Sequence, residues 1–439
     1  MTTFARRDAL KVLGAAALAG GTGIGARSGA AAPASRYPIE QGASLKVLRY
    51  KSFVQAAENQ FQLNTRAFVD RSGVNVSLES VAIQDVPAKA ALAANVGSGP
   101  DIVFGQYDMP HLYADKCLDL TELAQDLGDR YGGWYDTCRR YCTSDGRWIA
   151  LGAYFSTYCV TYRRSMVESV GFAEIPRDLP GFLKLCKALK GRGAPVGLAL
   201  GNAAGDANTW CHWLVWAHGG KLVNEKNEVV INSKETLAAL DYARELYAAF
   251  VPGTLSWLDP NNNKAYLAGE ISLTYNPISI YYVAKTSPDP ALKAVAADTY
   301  HAHLPIGPIG RPTEMSAFIN CWVFKHTRYP NAAREYLRFL LEREQYEPWQ
   351  RASIGQMTQT LKAYEASSLW TEDPKYTPFR DGPKLSLYSG YAGKLGAASS
   401  ACREDFIIVN MVAEAASGQA TPQAAAARAE QRARRYYRA

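Results

Sequence analysis

The 439-residue sequence has no apolar run long enough to span a bilayer, and its mean hydropathy of −0.20 excludes a polytopic membrane protein. It is also short of charge: Asp, Glu, Lys and Arg make up 20% of the chain. What net charge there is sits at the two ends. Residues 1–34 hold Arg6, Arg7, Lys11 and Arg27 against Asp8, and residues 421–439 hold five arginines against Glu430. The rest of the chain balances at 39 basic against 39 acidic residues. A balanced body lacks the clustered cations that phosphate backbones require, so no nucleic-acid partner is expected. The basic C-terminal stretch reads as the solvated face of a helix rather than a binding arm. No P-loop, nucleophile elbow, H-E-x-x-H pair or strand-following G-x-G-x-x-G occurs. His301 and His303 could offer two ligands from one strand face, but no third is in view. Catalytic residues, cofactor and metal are therefore all expected to be absent.

The eight cysteines lack paired zinc spacing, since Cys138 and Cys142 have no second pair to complete a tetrahedral site. Most read as small buried hydrophobes. An oxidising compartment would allow one or two disulfides, whose pairing the spacing leaves open.

The N-terminus reads as an address. Arg6-Arg7 precede a short Ala- and Gly-rich apolar stretch from Val12 to Leu18, and small residues follow at Ala30, Ala31, Ala32 and Ala34. The run Ala5–Lys11 resembles a twin-arginine signal, and it also fits an ordinary Sec-type leader. Either reading predicts export to the periplasm, with cleavage near residues 30–34.

Beyond the leader, strand and helix patterns alternate. Leu45 to Tyr50, Val74 to Leu78 and Asp101 to Phe104 read as strands, with helices over 56–71 and around Ala88–Leu92 between them. Ser233 is a helix N-cap, Ile271–Tyr275 and Ile319–Val323 alternate as strands, and Pro330 and Pro422 open helices. This alternation predicts an α/β fold with right-handed crossovers and a largely parallel sheet.

Aromatic residues are plentiful: 26 Tyr, 14 Phe and 9 Trp, several of them beside short polar residues. One group is Tyr154, Phe155 and Tyr158; another is Trp210, Trp213 and Trp216. A third runs Trp257, Asp259, Asn261, Asn262 and Asn263, and a fourth Tyr275, Asn276, Tyr281 and Tyr282. Ring faces pack on sugar C–H faces, and Asp and Asn exchange hydrogen bonds with hydroxyls. The same rings would serve equally well as core.

These residues stand among segments that resemble the family 1 extracellular solute-binding proteins of ABC importers, of the maltodextrin-binding-protein-like, carbohydrate type. The resemblance rests on Gly97–Phe104 followed by Tyr107-Asp108, on Asp145–Ala150 leading to Thr161–Arg164, and on His218-Gly219-Gly220. It continues through Ala265–Leu273 and Leu304–Pro308, and spans nearly all of the mature chain. It implies a type II two-lobe periplasmic binding protein, each lobe a sheet flanked by helices, with the ligand cleft between the lobes. Lobe one is expected over 45–152 with 276–327, and lobe two over 156–275 with 330–439. Crossings are expected near Gly152–Phe155, Asn276–Ser279 and Thr327–Pro330. The resemblance further implies a monomer that captures a neutral sugar, oligosaccharide or polyol and hands it to a membrane permease.

Carried over residue by residue, Asp108 falls where maltodextrin binders set a carboxylate against sugar hydroxyls, and Trp210 beside their stacking ring. Gly105 stands where those proteins carry a tryptophan, a departure that counts against a maltodextrin-like ligand. The candidate ligand-binding set is Gln106, Tyr107, Asp108, Tyr154, Phe155, Tyr158, Trp210, Trp257, Asp259, Asn262, Tyr275, Asn276 and Tyr281. Two other readings remain: the same fold holding a polyamine, phosphate ester or amino-acid derivative, or an exported carbohydrate-active enzyme with two carboxylates flanking a bound sugar.

Overall fold

A computed structural model describes residues 36–438, with the compact part of the chain beginning at Tyr37. The leader and its cleavage region lie outside the described residues. The first sheet opens with β1 (Ser44–Tyr50), α1 (Gln55–Ser72), β2 (Asn75–Val81), α2 (Val86–Val96) and β3 (Ile102–Gln106). β1 runs parallel to both β2 and β3, as the strand–helix alternation predicts. Ile102 to Gln106 are all buried, the pattern of a strand covered on both faces.

The chain then reaches β4 (Leu151–Ser156) and passes through Thr157 and Tyr158 into β5 (Cys159–Arg163), which belongs to a different sheet. There follow α3 (Asp206–Ala217), α4 (Lys234–Tyr247), α5 (Asp259–Leu267), β6 (Leu273–Asn276) and β7 (Thr299–Ala302). The Ser233 hydroxyl caps α4 by accepting from the Thr236 amide, as its sequence position suggested. β8 (Ala317–Val323) returns to the first sheet. The first sheet has the order β2-β1-β3-β8-β4, and the second β6-β5-β7.

Parallel pairing stops at β3. β8 is antiparallel to both β3 and β4, and the second sheet is wholly antiparallel. A parallel neighbour needs a crossover within its own sheet. β8 instead re-enters from the other lobe and runs the opposite way.

The same traffic revises the expected lobe limits. β7 pairs with β5, so 299–302 lies on the second sheet and not with lobe one. The return crossing is therefore 303–316, not Asn276–Ser279. Nor does the chain cross at Thr327–Pro330: α6 (Pro330–Leu341) and α7 (Arg343–Ala352) pack on α1. The chain leaves the first lobe only after that. α8 (Ala397–Glu404) packs on the turn that follows β3, while α9 (Ile407–Ala416) packs on α3 and α4. The first crossing, at Thr157–Tyr158, lies two residues past the expected one.

The C-terminal α10 (Pro422–Ala433) buries Ala425, Ala426, Ala429 and Ala433 against its neighbours. Its arginines are spent on Glu414, Asp405 and Glu430, in keeping with a solvated helix face. All eight cysteines are buried and unbridged. Among the described residues no helix is long and apolar enough to cross a membrane, and no three potential metal-ligating side chains cluster.

Candidate functional site

The strands of both sheets end at one cleft. Tyr50 closes β1, Gln106 closes β3, Ser156 closes β4 and Asn276 closes β6, with Ala317 and Ile319 of β8 between them. The starts of α3 and α5 also line it, as does Gln356, which is bonded to Ser156 of β4. The hollow encloses about 440 Å³ of space free of protein atoms, open solvent at its mouth included. A cleft at strand ends, where chain segments switch lobe, is the usual ligand position in open α/β sheets.

Two carboxylates meet here. Asp206 and Asp259 are the first residues of α3 and α5, and they are only 2% and 7% exposed. Asp259 Oδ1 accepts from the backbone amides of Gly205 (3.0 Å) and Asp206 (2.8 Å), so it caps α3 from a distant part of the chain. Asp206 Oδ1 accepts from the Tyr158 hydroxyl at 3.0 Å. Gly205 allows this approach, because a Cβ there would stand 2.2 Å from the Tyr158 hydroxyl and 3.0 Å from Asp259 Oδ1. Burial, then the neighbouring Asp259 charge, push the Asp206 carboxyl well above the usual carboxylate range. Burial also raises Asp259, against the backbone amides that favour its ionised form. Of the two, Asp206 is the one without backbone donors, and both burial and the Asp259 charge favour its neutral form.

Amides line the rest. Asn276 Nδ2 donates to the Pro277 carbonyl (2.7 Å) and to Ser279 Oγ (3.0 Å), and Asn263 Nδ2 donates to the same hydroxyl at 2.9 Å. Gln356 Nε2 donates to Ser156 Oγ at 2.6 Å. Asn276 has spent both its donors inside the protein, and Asn263 and Gln356 one each. Four buried oxygens on the lining residues have no donor: Asp206 Oδ2, Asp259 Oδ2, Asn263 Oδ1 and Gln356 Oε1. Among the described residues no Lys or Arg lines the cleft.

Of the sequence-derived candidates, Gln106, Tyr158, Asp259 and Asn276 come together on this wall. Asn262 and Tyr275 stand just behind it. Asn262 Nδ2 donates to Asn276 Oδ1 at 3.1 Å, and the Tyr275 ring lies 5.3 Å from that of Tyr158. The remaining seven serve elsewhere. Asp108 is fully buried and paired with Arg403 Nε at 3.0 Å, and it also accepts from Ser399 Oγ. Arg403 covers the Tyr107 ring at 4.5 Å. The Tyr154 hydroxyl meets that of Tyr50 at 2.5 Å, and Phe155 packs on Phe318. Trp210 donates to the Ala199 carbonyl behind α3, and Trp257 packs over Gly197. Tyr281 donates to Asp373 at 2.7 Å. A side chain at Gly105 is precluded, since a Cβ would lie 2.5 Å from the Trp322 ring.

The sequence reading missed Asp206, Tyr50, Phe53, Ser156, Ser279 and Gln356 on the lining, while Asn263, named there in the third ring-and-amide group, lines it. Phe53 is 39% exposed, and with Tyr50 and Tyr158 it supplies the ring faces of the cleft. A usable signal was Gly205-Asp206 immediately ahead of a helical run, a pairing that places a carboxylate at a helix start.

A family model described as bacterial extracellular solute-binding protein matches residues 65–378. No curated protein sequence matches the chain. Among solved structures, the GacH receptor of Streptomyces glaucescens, determined unliganded and with acarbose, is similar at a TM-score of 0.75 and 18% identity. That match covers 91% of this chain and 99% of the receptor. Maltose-bound MalE3 of T. maritima aligns at 0.75 and 17% identity, covering 89% and 99%. An ABC transporter solute-binding protein of Agrobacterium radiobacter K84 in complex with ribitol aligns at 0.75 and 14%, covering 90% and 98%. At these identities the likeness establishes the two-lobe fold.

Proposed function

The chain belongs to the bacterial extracellular solute-binding proteins, and on that premise we propose that it captures a sugar, oligosaccharide or polyol for an ABC importer. One observation carries this reading: ring faces and unsatisfied hydrogen-bond acceptors converge on one cleft between the lobes. The acarbose, maltose and ribitol held by the structural relatives support the same solute class.

Capture follows from geometry. Tyr50, Gln106 and Ser156 come from the first sheet, and Asp206, Asp259 and Asn263 from helices of the second lobe. Only a closed cleft brings both sets onto one solute, so the solute favours closure. The crossing segments at 157–158 and 303–316 are the hinges. The closed form, a monomer in the periplasm, then docks on the membrane permease and releases its solute unchanged.

The cleft argues against two rivals. Phosphate esters need Arg, Lys or a free helix N-terminus. Here no cation among the described residues lines the cleft, and Asp259 occupies the start of α3. A glycosidase needs its two carboxyls about 5–10 Å apart with the sugar between them. Asp206 and Asp259 instead stand side by side, Asp259 Oδ1 accepting from the Asp206 backbone amide at 2.8 Å.

Thermal unfolding with a panel that includes maltose and ribitol tests the proposal. A solute at one hundred times its Kd adds about 2.7 kcal/mol of stability, read as a rise in Tm. Gln106→Ala should weaken that rise. No response to any hydroxylated solute would remove the reading.

A further inference from the structure

The two lobes are bonded to each other at the edge of the cleft. The Ala56 amide, at the start of α1 on the first lobe, donates to the Tyr282 hydroxyl at 3.1 Å. Tyr282 belongs to a helix, Ser279–Thr286, that packs on α5 of the second lobe. That helix is itself held in place, since Tyr281 and Lys285 both donate to Asp373. The N-cap of α1 is Val54, which has no side-chain acceptor to give, so the acceptor this amide finds comes from the other lobe. The bond lies three residues from Phe53 on one lobe and three from Ser279 on the other, and both of those line the cleft.

The space inside is small. About 440 Å³, mouth included, is near the lower end of the roughly 300–1,000 Å³ that ligand pockets span. Ring faces are few as well. Among the described residues three rings line the cleft, and Phe53 is 39% exposed against 6% for Tyr50 and 4% for Tyr158. The indoles that would extend a platform are turned into the core, with Trp210, Trp213 and Trp216 at 2% exposure or less. Gly105 has no room for a ring beside Trp322. Each unit of an oligosaccharide presents its own C–H face, so a site that reads several units needs several exposed rings.

Resting on the reading of the protein as a sugar or polyol carrier, we infer that its solute is a single sugar unit or an acyclic polyol of that size, stacked on Phe53, with the Ala56–Tyr282 bond as the barrier to a second unit. Past Phe53 and Ser279 a longer chain meets joined lobes. To admit it the lobes must stay apart, and the contacts that only closure brings are lost. Selection by size is therefore exclusion of the longer solute rather than extra affinity for the shorter one.

The test uses the full mature protein and defined probes. D-glucose, D-galactose, D-sorbitol and ribitol are titrated calorimetrically beside maltose, lactose and maltotriose. The expected result is that the tightest single-unit member binds at least about tenfold more tightly than any longer member. Phe53→Ala, at an exposed position, should weaken that member by about tenfold. Tyr282→Phe keeps the ring and removes the hydroxyl that joins the lobes. It should reduce the preference for the single unit by at least about threefold, by admitting the longer members.

A disaccharide or trisaccharide as the tightest member would overturn the inference and leave sugar capture standing. So would a size preference unchanged in Tyr282→Phe, or single-unit affinity unchanged in Phe53→Ala. No response to any of the seven probes would overturn the carrier reading and the inference with it.

Discussion

Two buried acidic sites in this protein are built from the same residue type and treated in opposite ways. Asp108 lies behind β3 with no exposure, and Arg403 of α8 sits 3.0 Å away with only 3% of its side chain exposed. Asp206 and Asp259 are nearly as buried, yet their neighbours are backbone amides, a phenol and each other. The first carboxylate is neutralised within the fold. It joins α8 to the turn after β3. The second pair is left short of positive charge at the mouth of a cleft. Burying a charge without a partner is costly, so such a pair persists where a ligand or a proton completes it. The lesson is that burial alone does not identify a functional acid; the missing counter-charge does.

The largest effect should come from breaking the paired site. Arg403→Ala leaves Asp108 buried and alone, and should cost about 3–5 kcal/mol in urea unfolding. A loss below about 1 kcal/mol would mean water reaches Asp108, and the contrast between the sites would fail.

Next comes Asp259→Ala. It strips two backbone amides of their acceptor, which for a lost helix cap costs about 1–2 kcal/mol. Solute affinity should fall by more than tenfold, measured by fluorescence titration. Loss of stability without loss of affinity would make Asp259 a cap and nothing more.

The smallest effect is a pH slope. The folded state holds the Asp206 proton above the unfolded carboxylate value of about 4, so over that window the native protein binds more protons than the unfolded chain. Its contribution therefore fades as pH rises through the folded-state pKa. Asp206→Asn should raise Tm relative to the parent at pH 8 more than at pH 5. An equal shift at both values would place the proton elsewhere.

Legibility varied with how local the deciding contact was. β3 was readable because four apolar or small residues in a row, Ile102 to Gly105, make a buried strand, and its end at Gln106 fell on the cleft. Asp259 and Asn276 were found because short polar residues beside rings mark strand and helix ends. Trp210 was misplaced because α3 is buried along its whole length, Asp206 to Ala217. A helix covered on every side carries no periodicity that tells which ring faces a ligand. Asp108 looked like a site residue because Arg403, which neutralises it, lies 295 positions away.

The chain's own order of residues was enough to establish the alternating strands and helices and the family. Those depend on local periodicity and on motifs contiguous in the chain. Only the folded chain decided which acids are spent and which are free, which strands run antiparallel, and where the lobes are crossed. Those outcomes depend on pairings between residues far apart in sequence, and the energy of a buried charge is set by what stands beside it in space.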